Sequence, residues 1–171
     1  MSVTLDRPKQ TRPALSVFVG REREMRLLKD QLLAAEAEER ARLVSIVGEA
    51  GIGKTRLVQS FSENHAGDAR ILWGGCDDLS TPRTLGPFRD IAGQVDGPLK
   101  DAVVGGTRSE VFDAVFDVVV DANNPTAVVV EDVHWADGAT LDVLKFLGRR
   151  IERTPVALIL TFRDEEVPDN H

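Results

Sequence analysis

Short apolar runs alternate with amphipathic stretches along most of the chain. Leu43-Val44-Ser45-Ile46-Val47, Ala69–Trp73, Ala127–Val130 and Val156–Thr161 are rich in branched and aromatic side chains. Such runs read as strands buried on both faces. Between them the apolar positions move to helical spacing. Met25, Leu28 and Leu32 share one face of a helix expected over Arg21 to Arg40. Leu57, Val58 and Phe61 mark a second helix, and Val111, Phe112, Val115, Phe116 and Val119 a third. Leu141, Leu144, Leu147 and Ile151 form the stripe of a fourth, expected from about Ala139 to Glu152. Punctuation agrees with this division. Thr107-Arg108-Ser109-Glu110 is a capping box, Asp137 is placed to cap the last helix, and Asn123-Asn124-Pro125 and Pro155 mark turns. Residues 76–106 are rich in Gly, Pro and Asp and read as mostly irregular, with a short helix around Ile91 and Val95. Strands alternating with helices predict an α/β fold: a parallel sheet with helices on both faces.

The ends are different. Residues 1–16 are polar and proline-bearing and read as a flexible N-terminal arm, and Arg163 to His171 is a charged tail. The 171 residues suffice for one domain, 17–171, with a real core. A net charge of −7 gives no global footprint for nucleic acid, so no direct nucleic-acid contact is expected in this segment. No apolar run is long enough for a membrane span, and the first residues lack the apolar core of a secretory signal. The single cysteine, Cys76, excludes an intrachain disulfide and fits a reducing cytoplasm; it reads as a small buried residue after a strand.

Chemistry enters at Gly48-Glu49-Ala50-Gly51-Ile52-Gly53-Lys54-Thr55, a complete G-x-x-x-x-G-K-[ST] phosphate loop between a strand and a helix. Glycines let the backbone curl so that successive N–H groups point at phosphate oxygens. Lys54 supplies a point charge for the β- and γ-phosphates, and Thr55 a hydroxyl for Mg²⁺. Arg56 opens the helix whose positive end faces the anion.

The second half of the site is Val128-Val129-Val130-Glu131-Asp132, a buried strand with carboxylates at its C-terminal end, the edge where open α/β sheets bind ligands. Glu131, first after the strand, is expected to hold Mg²⁺ through water. Asp132 is then the base that orients the attacking water. Many related ATPases place Asp first and Glu second. The reversed order moves each carboxylate by about a bond length, which predicts slow hydrolysis.

Phe18-Val19-Gly20-Arg21-Glu22, the phosphate loop with Arg56-Leu57, Glu131-Asp132-Val133-His134-Trp135-Ala136-Asp137 and Thr161-Phe162-Arg163 occur in this order in one known group. Together they resemble the N-terminal AAA or Orc-like ATPase domain, of the STAND class of P-loop NTPases, in large ATP-binding LuxR-family transcriptional regulators. The resemblance implies a three-layer fold of the ASCE or RecA-like kind. It implies ATP and Mg²⁺ as ligands, with nucleotide-dependent self-association possible. It places Val19 and Arg21 near the adenine and gives Arg163 a sensor role toward the γ-phosphate. It also implies a lid, a fifth strand and a DNA-binding region beyond this segment, so the chain reads as truncated before them. His134 and Trp135 read as packing that braces the acidic loop, and Arg149 and Arg150 as a solvated helix end.

Three functions are compatible with these residues: an ATP-binding, slowly hydrolysing switch domain of a LuxR-type regulator; a P-loop phosphotransferase acting on a small molecule; and a non-catalytic nucleotide-binding remnant. A GTPase is disfavoured because no Asn-Lys-x-Asp segment is present.

Overall fold

The computed structural model describes residues 1–4, 21–120 and 124–164. The element order is β1 (Ser2–Thr4), α1 (Glu22–Ala37), β2 (Arg42–Gly48), α2 (Lys54–His65), β3 (Arg70–Gly75), α3 (Gly86–Ala92) and α4 (Leu99–Gly105). Then follow α5 (Arg108–Val119), β4 (Thr126–Glu131), a 3₁₀ turn (Val133–Trp135), α6 (Gly138–Arg150) and β5 (Val156–Arg163). The strands form one parallel sheet in the order β1-β2-β5-β4-β3.

Both faces of that sheet are covered, as the continuous apolar runs require. Successive residues of β4 point to opposite sides. Ala127 and Val129 join Val44, Ile46, Ala157 and Ile159 against α1 and α2, where Leu28, Leu57, Val58 and Phe61 are buried. Val128 and Val130 join Leu72, Val156 and Leu158 on the other face, against α3 to α6. This is an α/β P-loop NTPase fold.

Four strands follow the sequence pattern and the fifth does not. Ser2–Thr4, inside the expected arm, pairs in parallel with Ser45–Val47 at the sheet edge. Val3 is buried, Ser45 N–H donates to the Met1 carbonyl at 3.0 Å, and the Met1 ammonium donates to the Leu43 carbonyl at 2.7 Å. Three residues show too little pattern to announce a strand; the open edge of β2 makes one of them. The rest of the arm, residues 5–16, lies outside the described residues.

Residues 76–106 hold the short helix expected around Ile91, which stops before Val95, and one helix more than expected. They hold two helices, α3 and α4, with Phe88, Ile91 and Leu99 fully buried. Seven-residue helices are marginal alone, and their Gly and Pro punctuation masks the period; packing stabilises them. Helix α3 lies along the otherwise open edge of β3. There Gln94 exchanges hydrogen bonds with the Trp73 backbone and Asp90 accepts from Gly75 N–H, protecting that edge. The close approach needs Gly74, since a Cβ there would lie 2.2 Å from the Pro87 carbonyl oxygen.

Caps appear where the sequence places them. Thr107 and Glu110 form the reciprocal box, and Glu110 is held below the usual carboxylate range by the Thr107 backbone N–H. Asp137 accepts from Ala139 and Thr140 at the start of α6, and also from Leu85 N–H, which ties α3 to the same corner. Helix α1 ends at Ala37 instead of Arg40, with Glu39 at φ +47° closing the turn. On α6 the buried stripe runs through Thr140, Val143, Leu144 and Leu147, leaving Leu141 partly exposed.

Candidate functional site

The sheet places β5 between the phosphate-loop strand and the acidic strand. Gly48, where β2 ends, lies opposite Arg163 of β5, and Leu160 of β5 lies opposite Val130 of β4. The loop after β2, the acids after β4 and the arginine ending β5 therefore share one carboxyl-edge rim.

A cavity of about 310 Å³ opens on that rim, lined by Ala50, Gly51, Gly53, Lys54, Thr55, Arg56, Asp132 and Arg163. Gly51 and Gly53 have φ of +74° and +100°, with open space where a side chain would project. Their requirement for glycine is thus conformational, not steric crowding. Gly53 accepts from Leu57 N–H and starts α2, so the helix N-terminus faces the cavity. Lys54, only 7% exposed, folds back and donates to the carbonyls of Gly48 at 2.7 Å and Glu49 at 3.0 Å. Burial pulls its pKa below the ordinary lysine value, with Arg163 adding to the effect and Asp132, Asp164 and Glu131 opposing it.

The loop is braced from outside. Arg21, also 7% exposed, donates to the Ile52 carbonyl at 3.1 Å and pairs with Glu24 at 3.2 Å. The Arg21 guanidinium, which the resemblance places near the adenine, here contacts the loop backbone and Glu24. Val19, Phe18 and Gly20 lie outside the described residues.

On the acidic side, Glu131 is half-buried and its carboxyl is pushed above the usual range, chiefly by burial. The Thr55 hydroxyl and the Trp73 indole N–H pull the other way, so Thr55 and Glu131 sit side by side. Trp73 Nε1 donates to Glu131 Oε2 at 3.1 Å, while Oε1 is buried without a hydrogen bond of ordinary geometry. Asp132 takes the left-handed conformation (φ +51°, ψ +47°). That costs on the order of 1 kcal/mol for most side chains and less for Asp. Its N–H donates to the buried Thr161 hydroxyl at 2.8 Å, and Trp135 N–H donates to its carbonyl at 2.8 Å. Asp132 Oδ1 lies 4.0 Å from His134 Nε2.

Of the residues read from sequence, Lys54, Thr55, Arg56, Asp132 and Arg163 meet at the cavity, with Gly51, Gly53 and Ala50 in its wall. Gly48 and Glu49 hold Lys54 through their carbonyls, and Ile52 receives Arg21. Trp73 and Thr161 were missed. Trp73 precedes two glycines at a strand end, and Thr161 lies inside the Thr-Phe-Arg phrase; neither pattern names a partner. Cys76 sits beside the site, partly buried, its thiol pushed up to about 12 by burial.

Residues 17–159 match the family described as the AAA ATPase domain. The chain belongs to that family. An uncharacterized protein of Rhizobium meliloti (strain 1021) is 27% identical across 85% of the chain. The chain spans 18% of that relative's length. Among solved structures, Cdc6p from Pyrobaculum aerophilum matches with a TM-score of 0.63 and 16% identity, over 88% of this chain and 41% of that one. A Drosophila ORC structure bound to DNA matches at 0.54 and 14%, over 82% and 77%. These low identities establish the fold alone.

Two functional expectations are corrected by these matches. The LuxR-type transcriptional regulator is overturned, and with it the transcription-regulation role: the family matched is that of the AAA ATPase domain, and Cdc6p and an ORC structure share its fold. Of the phrases that carried the resemblance, all but Thr161-Phe162-Arg163 lie within the segment that matches the AAA ATPase domain. They report the core and nothing of what is attached to it. The small-molecule phosphotransferase falls as well. Residues 76–106, the one stretch irregular enough to have supplied an acceptor pocket, are folded into the domain's core through α3 and α4. Among the described residues no helix is long and apolar enough to cross a membrane.

Proposed function

We propose that this AAA domain binds ATP with Mg²⁺ at the 310 Å³ cavity and hydrolyses it slowly, its nucleotide state setting contacts with other chains or segments. The observation that carries the reading is the meeting of Lys54, Thr55, Asp132 and Arg163 around one cavity at a helix N-terminus. The donor set suits the ligands. Thr55 and Glu131 offer adjacent oxygens, with Glu131 Oε1 buried and unspent, which matches a hard cation that keeps part of its water shell. When bound, Mg²⁺ would neutralise charge on the β- and γ-phosphates.

The chain's own residues account for the remaining roles. Lys54 is already desolvated and needs only to keep its place while phosphate oxygens arrive. Its two carbonyl partners fix it, and Arg21 fixes the loop. Asp132 orients the attacking water from a backbone geometry locked by Thr161. Arg163 stabilises charge developing on the terminal phosphate. Glu131, held by Trp73, keeps the metal side in register.

Calorimetry with ATP, ADP and GTP, with and without Mg²⁺, tests this directly alongside phosphate release to water. The expected result is adenine preference, with a Mg²⁺-dependent gain for ATP that Thr55→Ala removes. Asp132→Asn should bind ATP normally yet release phosphate about 10²-fold more slowly or less. Equal phosphate release by Asp132→Asn and wild type would remove Asp132 from the reaction. Absence of nucleotide binding by wild type would end the proposal.

A further inference from the structure

Both tryptophans of the chain sit at this site, and they use different parts of the indole. Trp73 spends its N–H on Glu131. Trp135 Nε1 is buried and has no hydrogen-bond partner. An unpaired buried donor is unfavourable, and a phenyl ring would fill similar space without that cost. What indole offers over phenyl is a stronger π face. That face is occupied: the Arg163 guanidinium carbon lies 5.4 Å from the Trp135 ring centroid.

The contact matters because Arg163 has little else. Among the described residues its guanidinium makes no hydrogen bond or ion pair, although it lines the same cavity as Lys54 and Asp132. Lys54 and Arg163 repel one another across that cavity, as the effect of Arg163 on Lys54 indicates. A long cation beside another cation would swing into solvent unless something fixes it. The ring is itself fixed, since the Trp135 backbone N–H donates to the Asp132 carbonyl in the 3₁₀ turn and its indole packs on His134 with centroids 5.2 Å apart.

We propose that Trp135 is a positioning residue whose ring face holds Arg163 at the cavity wall, and that it thereby sets the preference for a nucleoside triphosphate over a diphosphate. The inference rests on the cavity being the phosphate site. It changes the part assigned to Trp135 from packing to placing a charge.

The test measures the affinities of the β,γ-imido analogue of ATP and of ADP for the full chain. Trp135→Leu should reduce the triphosphate-over-diphosphate preference roughly 3- to 10-fold, the span of a partly desolvated cation–π contact. ADP affinity should stay within about twofold, since the phosphate loop holds the diphosphate. Arg163→Ala should lose a similar factor, and the double variant no more than either alone. Trp135→Phe, which keeps a weaker π face and the apolar volume, should show a smaller loss and carries the test if Trp135→Leu does not fold. With 5-fluorotryptophan incorporated, the fluorine resonance of Trp135, assigned by its loss in Trp135→Phe, should move with the imido analogue and not with ADP. Arg163→Ala should abolish that response. Unchanged preference in both Trp135 variants beside a loss in Arg163→Ala, or additive losses in the double variant, would overturn the proposal while leaving the phosphate site standing. Wild type that binds neither nucleotide would sink both.

Discussion

The two halves of the site are built by different means. The half after β2 is made of backbone: Gly51 and Gly53 at positive φ, a helix N-terminus, and a lysine whose partners are carbonyls five and six residues away. The half after β4 is made of side chains from distant strands. Trp73 is 58 residues from Glu131, and Thr161 is 29 from Asp132. A local loop needs only its own residues to take shape. The acidic rim has no geometry until β3, β4 and β5 are side by side. The lesson is that damage to the first half should act on binding alone, while damage to the second should spread into folding and into the reaction step.

The largest expected effect falls on the local half. Lys54→Ala removes a buried ammonium from the phosphate site and should weaken ATP binding about 10- to 100-fold by calorimetry, the worth of one charge-assisted contact. Its unfolding midpoint should change little, because the lysine's burial already offsets its two carbonyl bonds. Unaltered ATP affinity in this variant would dissolve the contrast between the halves.

Next in size is Thr161→Val, which keeps the shape of a fully buried side chain and removes the acceptor for Asp132 N–H. Leaving that donor unmet should destabilise the domain by about 1–2 kcal/mol and lower its thermal midpoint by roughly 2–8 °C. Phosphate release should fall too, while ADP affinity holds. A variant as stable and as active as wild type would show that the rim does not depend on β5.

The smallest effect has the opposite sign. The Glu131 carboxyl is raised by burial, so the folded state holds its proton more tightly than the unfolded chain does. Its contribution to stability is present below the ordinary glutamate range and is lost as pH rises through the raised value. Glu131→Gln keeps an oxygen for Trp73 N–H and removes the buried charge. The nucleotide-free protein should therefore melt a few degrees higher at pH 7, with the gain vanishing at pH 4, as thermal scans across pH would record. A lower midpoint at pH 7 would mean that the charge is favourably held, and the rim would then resemble the loop in being pre-paired.

How much was legible follows the same division. The strands at residues 42–48, 70–75, 126–131 and 156–163 were readable because burial on both faces demands unbroken apolar runs. The capping box at Thr107 and the cap at Asp137 were readable because caps are local. The edge strand at Ser2–Thr4 and helix α4 were not, being too short to carry a period of their own, and α3 was readable only around Ile91. The attached regulator was misread for a related reason. Nucleotide-handling phrases recur wherever this chemistry recurs, and they contain nothing about what the energy drives.

By itself the sequence determined a phosphate loop between strand and helix, a pair of acids at a strand end and a two-sided sheet, because each is specified within a few residues by conformational freedom, charge and period. Tertiary structure alone decided that β5 enters between the loop strand and the acid strand and brings Arg163 opposite Gly48. It alone spends Trp73 on Glu131, Thr161 on Asp132 and the face of Trp135 on Arg163. The physical reason is that hydrogen bonds and ring contacts form between neighbours in space, and strand order, not chain order, decides who those neighbours are.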